Sequence, residues 1–389
     1  MAAALLLLGW LLSAPAVAAA AGCAVPKGVY AASTPWAQQQ LGLAELAPLS
    51  IGSGQRIAVI GTGIDSGNSQ FAAGQILTGQ DVLHGGAASG DCDGRGTFAA
   101  GIIGAQPDPR TTIVGVAPGA QLIPIRYTQS SDSSSSGGVP AQLATALDDA
   151  VADHADIILV AVPVTVDSTA LRAAVLRAQR AGSIVVSPAA AAKAGETTYP
   201  TSYPDVVAVA GVGPDGSPVT LESGSYLSVA APGTGLAGLS AGAKGGLGHL
   251  WPTNDPSFAA SYLAGVLADA ASYLPGLTPG QLVRRVLATA GASNGTRDDR
   301  LGWGLVDPVR ALTAELPADV SPQSMAARTP STAPVRLARP VAASTPSGRP
   351  VGYLAITGLA VALAIGLLAA TVRRGQRRRW RPARTRLGG

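Results

Sequence analysis

The chain has 389 residues, room for one large domain with appendages, and 47% of them are apolar, ample for a core that must be built from Ala, Val, Leu and Ile because aromatics are only 4%. Its formal charge of +4 misleads: eight of the 27 basic residues are Arg between Arg373 and Arg386, with no acid among the last 17 residues. The rest carries 19 basic against 23 acidic groups, so the basic balance belongs to a tail and excludes a nucleic-acid-binding face.

In chain order, the apolar run Ala4 to Leu12 and the small residues after it read as a secretory signal peptide, residues 1–21. The run Ala20-Ala21-Gly22-Cys23 also admits a lipoprotein signal with Cys23 as the lipidated residue, although the usual Leu three positions earlier is missing. Residues 22–50 form an N-terminal extension. From 51 to 314 strand and helix signals alternate. Arg56 to Ile60 is a buried strand and Thr97 to Ile103 a short helix; Gln121 to Tyr127 is a strand and Gln142 to Ala152 a helix. Ile157 to Val162, Ser183 to Val186 and Val206 to Val209 are strands, Ala170 to Ala181 is a helix, and Ser257 to Ser272 is a long helix apolar nearly all round. The alternation predicts an α/β domain, a parallel sheet with helices on both faces.

Gln129 to Gly138 is a Ser-rich surface loop, and residues 315–350 are a Pro, Ala, Ser and Thr-rich linker too poor in apolar surface to order itself. Residues 351–372 carry no charge. As a helix they would span about 33 Å at about 1.5 Å per residue, against a bilayer core of about 30 Å. The Arg cluster that follows places residues 373–389 on the cytoplasmic side and the large domain outside the cell membrane. There, two cysteines in an even count predict a Cys23–Cys92 disulfide, which lipidation of Cys23 would preclude.

Three segments hold the chemistry: Ile57 to Asp65 (IAVIGTGID), Asp91 to Ala105 (DCDGRGTFAAGIIGA) and Asn254 to Gly265 (NDPSFAASYLAG). Gly61-Thr62-Gly63 with Gly67 also suggests a dinucleotide loop, but the spacing is wrong and no acid follows in a second strand. The order and spacing of the three blocks instead resemble the signature blocks of subtilases, serine proteases with Asp, His and Ser in that order. More narrowly the chain resembles a mycosin, the membrane-anchored subtilase of type VII secretion. Pro35-Trp36-Ala37, Gly115 to Ala120, Ala230-Ala231-Pro232-Gly233 and Gly302 to Pro308 carry that likeness. The resemblance implies a subtilase-like fold, a type VII secretion membrane complex as partner, peptide or protein as ligand, and no cofactor or metal.

Set against the family pattern, the catalytic positions have changed. The triad Asp position is Gly61, the triad His position is Arg95, and the oxyanion Asn position is Ala191. Ser257 keeps the nucleophile position, but Gly-Thr before it has become Asp255-Pro256. Asp65 matches the second, non-catalytic acid of the first block. A serine needs a base to take its proton, and a guanidinium stays charged at any relevant pH. In subtilisin, loss of the Ser or His alone costs about 10⁶-fold in rate, and loss of one oxyanion donor about 10²–10³-fold.

Replacement bases are scarce. His249 stands eight residues before Ser257 in a glycine-rich stretch, where a solvated loop histidine is the plainer reading; His154 reads as exposed and His84 as a loop residue. Lys193 and Lys244 offer a Ser-Lys arrangement with nothing to support it. Ser257 itself suits a helix N-cap. The segment Leu159 to Val164 matches the family's peptide-pairing edge, and Pro163 removes one donor from it. The sequence therefore predicts an inactive protease homologue with a scaffolding or peptide-holding role; the competing reading is an active endopeptidase using Ser257 with a non-standard base.

Overall fold

The computed structural model describes residues 22–130, 138–291, 296–317 and 319–320. Seven parallel strands form one sheet in the order β2-β3-β1-β4-β5-β6-β7. They are β1 (Arg56–Gly61), β2 (Gln80–Asp81), β3 (Gln121–Arg126), β4 (Ile157–Val160), β5 (Ile184–Pro188), β6 (Val207–Val212) and β7 (Leu227–Pro232). Because side chains alternate across a strand, β1 and β4 feed two cores. Ile57, Val59, Ile157 and Leu159 enter one; Ala58, Ile60, Ile158 and Val160 enter the other. The second core is closed by α4 (Pro140–Ala152) and α5 (Thr169–Arg180).

The first core holds α3 (Arg95–Gly104) and α6 (Ala259–Tyr273), with α7 (Pro279–Thr289) and α8 (Pro308–Thr313) outside them. Helix α6 is buried on nearly every side from Ala259 to Ala270. Two short helices of the extension, α1 (Trp36–Gln40) and α2 (Leu43–Leu46), bring Ala37, Leu43 and Leu46 into this same core, as does Leu41 between them. Strands β8 (Leu236–Leu239) and β9 (His249–Thr253) form a separate antiparallel pair. Gly28 of the extension bridges to His249, and Cys23 is bonded to Cys92, so the extension is fastened at both points and Cys23 has no free thiol to lipidate. At the far edge of the sheet, β7 is covered: Ala230 and Ser228 exchange backbone hydrogen bonds with Trp303, Gly304 and Val306.

The parallel sheet flanked by helices is the architecture read from the sequence. Several boundaries shift by one to three residues, and one of them bears on the site. Ser257 does not open a helix as its N-cap; Asp255 is the cap of a 3-10 turn, Pro256–Phe258, which runs into α6. Among the described residues no helix is long and apolar enough to cross a membrane. The leader at 1–21, most of the Ser-rich loop, almost all of the linker, the span at 351–372 and the basic tail lie outside the described residues.

Candidate functional site

Loops at the carboxyl ends of β1, β4 and β5 converge with the starts of α3 and the 3-10 turn, the place where open parallel sheets bind ligands. A cleft of about 190 Å³ lies there, lined by Arg95, Asp255 and Ser257 and by Ala161, Pro163 and Ala191. All four predicted site positions border it or stand beside it: Gly61 ends β1, and a side chain there would meet Ala161 and Val162 at ordinary contact distance.

The start of α3 is held by a polar frame. Asp91 accepts the Gly94 N–H at 2.8 Å, the Thr97 N–H at 2.8 Å and the Thr97 hydroxyl at 2.7 Å. Burial pushes the Asp91 carboxyl above its usual range despite these donors. Thr62 Oγ1 accepts the Gly96 N–H at 3.0 Å. Gly96 is required at this junction: a Cβ there would fall 1.9 Å from the Gly63 carbonyl oxygen. Asp65 donates its N–H to Thr97 Oγ1 and accepts the backbone N–H groups of Gly67 and Gly242, tying the first block to the second and to the loop before β9. These bonds make Asp65 a tie between three chain segments.

Onto this frame Arg95 is mounted at the first turn of α3. Its Nη1 donates to Ser257 Oγ and its Nη2 to Asp255 Oδ2. The Asp255 Oδ1 accepts both the Ser257 N–H at 3.0 Å and the Ser257 hydroxyl at 2.6 Å. The guanidinium carbon stands 5.2 Å from the centroid of the Phe258 ring. Burial alone would raise the Asp255 pKa, but Arg95 and the Ser257 donors hold it below the ordinary carboxylate value. So the nucleophile position is occupied by a hydroxyl that accepts from a cation and donates to a weakly basic carboxylate.

The alternative bases are elsewhere engaged. His249 is not a solvated loop residue: it is fully buried on β9, where Nδ1 accepts the Tyr30 N–H at 2.8 Å and Nε2 lies 2.6 Å from Gln70 Oε1. Burial lowers its pKa to about 4. The glycines around it suggested exposure; the extension covers it instead. His84 faces Asp81 at 3.1 Å and Gln129 at 3.0 Å, and His154 is exposed with φ 56°. Lys193 pairs with Glu196, and Lys244 is exposed. None of these five is a hydrogen-bond partner of Ser257 among the described residues.

Two features of the cleft wall escaped sequence reasoning. Tyr127, wholly buried, donates its hydroxyl to the Val162 carbonyl. With no N–H on Pro163, the segment offered for peptide pairing lacks one donor and has one acceptor already used. Buried Glu222 accepts the Ala191 and Thr198 N–H groups and the Thr198 and Tyr226 hydroxyls, fixing the backbone at the oxyanion Asn position. The Arg95–Asp255 pair was legible in principle, since a new cation and a new anion appear together in the second and third blocks.

The chain belongs to the subtilase family, whose model matches residues 52–304. Within it the likeness is to mycosins. Mycosin-1 of Mycobacterium tuberculosis is 30% identical over 89% of this chain and 86% of its own length, and Mycosin-3 of the same organism is 30% identical over 88% and 84%. The crystal structure of MycP1 from Mycobacterium smegmatis superposes with a TM-score of 0.68 at 29% identity, covering 78% of this chain and 91% of that one. One subunit of an intact ESX-5 inner membrane complex matches at 25% identity and a TM-score of 0.64, covering 91% and 94%.

Proposed function

We propose that this chain is a mycosin-type pseudoprotease: a single-span membrane protein that serves a type VII secretion membrane complex as a structural component, without cutting peptide bonds. The observation that carries this reading is the hydrogen bonding of Ser257 Oγ, which meets Arg95 and Asp255 and no imidazole or amine among the described residues. General-base catalysis needs a group whose pKa lies near the working pH, and Asp255 is held below even the ordinary carboxylate range. No side chain at position 61 can orient a base. The Ser257 N–H, the donor an oxyanion would use, is committed to Asp255. The mycosin likeness and the ESX-5 match support the secretion assignment, with residues 1–21 as leader and 351–372 as the span.

Of the two inactive roles, scaffolding is favoured over peptide holding, because Pro163 and the Tyr127–Val162 contact remove pairing groups from the cleft wall. The test uses the full-length protein purified in detergent. A serine-directed phosphonate should leave Ser257 unlabelled while the protein is recovered together with the membrane components of the secretion complex. Covalent labelling at Ser257, or turnover of protein substrates that the Ser257→Ala variant lacks, would restore the reading as an active endopeptidase.

A further inference from the structure

The Asp255 carboxylate makes contacts of two kinds. Its acceptance of the Ser257 N–H is an ordinary cap, in which a side-chain oxygen satisfies an orphan donor of the following turn. Arg95 has no part in a cap. It reaches Asp255 from the start of α3, 160 positions away in sequence, and binds Ser257 Oγ with its other nitrogen. A backbone N–H, a hydroxyl and a guanidinium edge thus converge on one carboxylate, and charge-assisted donors of this sort are what recognise an anion. The Arg95 side chain is only 13% exposed and its Nε has no partner, so its charge is poorly hydrated and depends on the anion it holds.

Resting on the reading of the cleft as catalytically silent, we propose that Asp255 is an internal carboxylate ligand, filling an anion pocket made by Arg95 and Ser257. Vacated, that pocket takes the carboxylate of a small acid or the terminal carboxylate of a peptide with a short apolar last side chain, because the small apolar residues Ala161, Pro163 and Ala191 line the same cleft. With Asp255 in place the cleft is closed to such ligands. The cleft is therefore not merely without a base: it already holds the anion for which its remaining donors are suited.

The variant that separates cap from ligand is Asp255→Ser, which keeps a capping oxygen and removes the carboxylate. Full-length wild type and variant, in detergent, are unfolded thermally in rising sodium acetate, with sodium chloride at equal ionic strength as the reference. The midpoint of Asp255→Ser should climb by several degrees in acetate over chloride, as expected for a ligand that binds only the folded state. Formate should act likewise, and uncharged acetamide should not. Wild type and the double variant Asp255→Ser/Arg95→Leu should show no difference between the salts. Asp255→Gly is read in the same way if Asp255→Ser fails to fold; recovery of folding in acetate supports the pocket, and failure of both variants to fold even there overturns it. Equal responses to acetate and chloride in the single variants at Asp255, or an acetate response in wild type equal to theirs, also overturn it. Phosphonate labelling of wild-type Ser257 alongside acetate binding by the variant would defeat the inactive reading alone and leave the pocket standing.

Discussion

The polar frame around the start of α3 and the cleft centre that it carries are only a few bonds apart, yet they have diverged. In the frame, Asp91, Thr97, Thr62, Gly96 and Asp65 satisfy one another's donors and acceptors. In the centre stand Gly61, Arg95 and Ala191, and Ser257 is enclosed by an ion pair. The frame is needed to join three chain segments into one fold, whereas a catalytic centre is needed only for turnover. A centre can be replaced by any arrangement that leaves no buried charge unpaired.

The sharpest way to break this contrast is to rebuild the centre. Gly61→Asp, Arg95→His and Ala191→Asn together should remain silent, because Asp255 still holds the Ser257 hydroxyl and N–H. Adding Asp255→Gly, the residue the family pattern has at that position, should raise the cleavage rate of a peptide substrate by about 10³-fold or more, given the size of triad and oxyanion effects. Cleavage by the triple variant without the fourth change would show that Asp255 does not block the site. Next in size is the frame itself. Asp91→Ala orphans two backbone N–H groups and a hydroxyl, all buried, and should cost about 3 kcal/mol or more, read as a fall in the urea midpoint at unchanged slope. A smaller loss for Asp91→Ala than for Arg95→Ala would erase the distinction between frame and centre.

Two buried groups make folding stability depend on pH. Asp269 lies fully buried in α6 with no hydrogen-bond partner on either oxygen; Ser50 and the Gly52 N–H are near enough only to oppose the shift weakly. Burial raises its pKa to about 8, while burial lowers that of His249 to about 4. The folded protein keeps a proton on Asp269 that the unfolded state loses above about pH 4, so this group makes stability fall as pH rises from about 4 to 8. His249 acts in the opposite sense between about pH 4 and its unfolded value of about 6.5, where only the unfolded state is protonated, so there stability rises with pH. The two oppose each other below about pH 6.5 and leave Asp269 alone above it. Stability should therefore drop by about 2 kcal/mol between about pH 6.5 and 8, at up to about 1.4 kcal/mol per pH unit. Asp269→Asn should abolish that drop; an unchanged slope in the variant would place its origin elsewhere.

Much of this was readable from the amino acids, for identifiable reasons. Strands β1, β3 and β4 announce themselves because a strand buried on both faces is a continuous apolar run, and the block glycines mark close backbone approaches. Strands β7, β8 and β9 were not read, because Gly and Pro interrupt them and their pairing depends on the extension and on residues 301–306. Helix α7 was missed despite a usable signal: Thr278 and Gln281 form a capping box ahead of an amphipathic run. The buried state of His249 could not be read locally, since its partners Tyr30 and Gln70 lie 219 and 179 positions away.

The smallest effect tests whether the cleft wall is closed by its own backbone contacts or only unused. Tyr127 is fully buried and burial raises its pKa far above the usual phenol, so its hydroxyl stays a donor to the Val162 carbonyl throughout the accessible pH range. Tyr127→Phe keeps the ring, removes that donor and should cost about 1 kcal/mol, the ordinary value for a lost hydrogen bond. It also returns one acceptor to the segment that would pair with an extended peptide, while Pro163 still withholds a donor. Binding of an end-blocked extended peptide, followed by fluorescence anisotropy, should therefore be undetectable in wild type and at most weak in Tyr127→Phe. Firm binding to wild type would mean that pairing does not use Val162, and the cleft would then be a peptide holder.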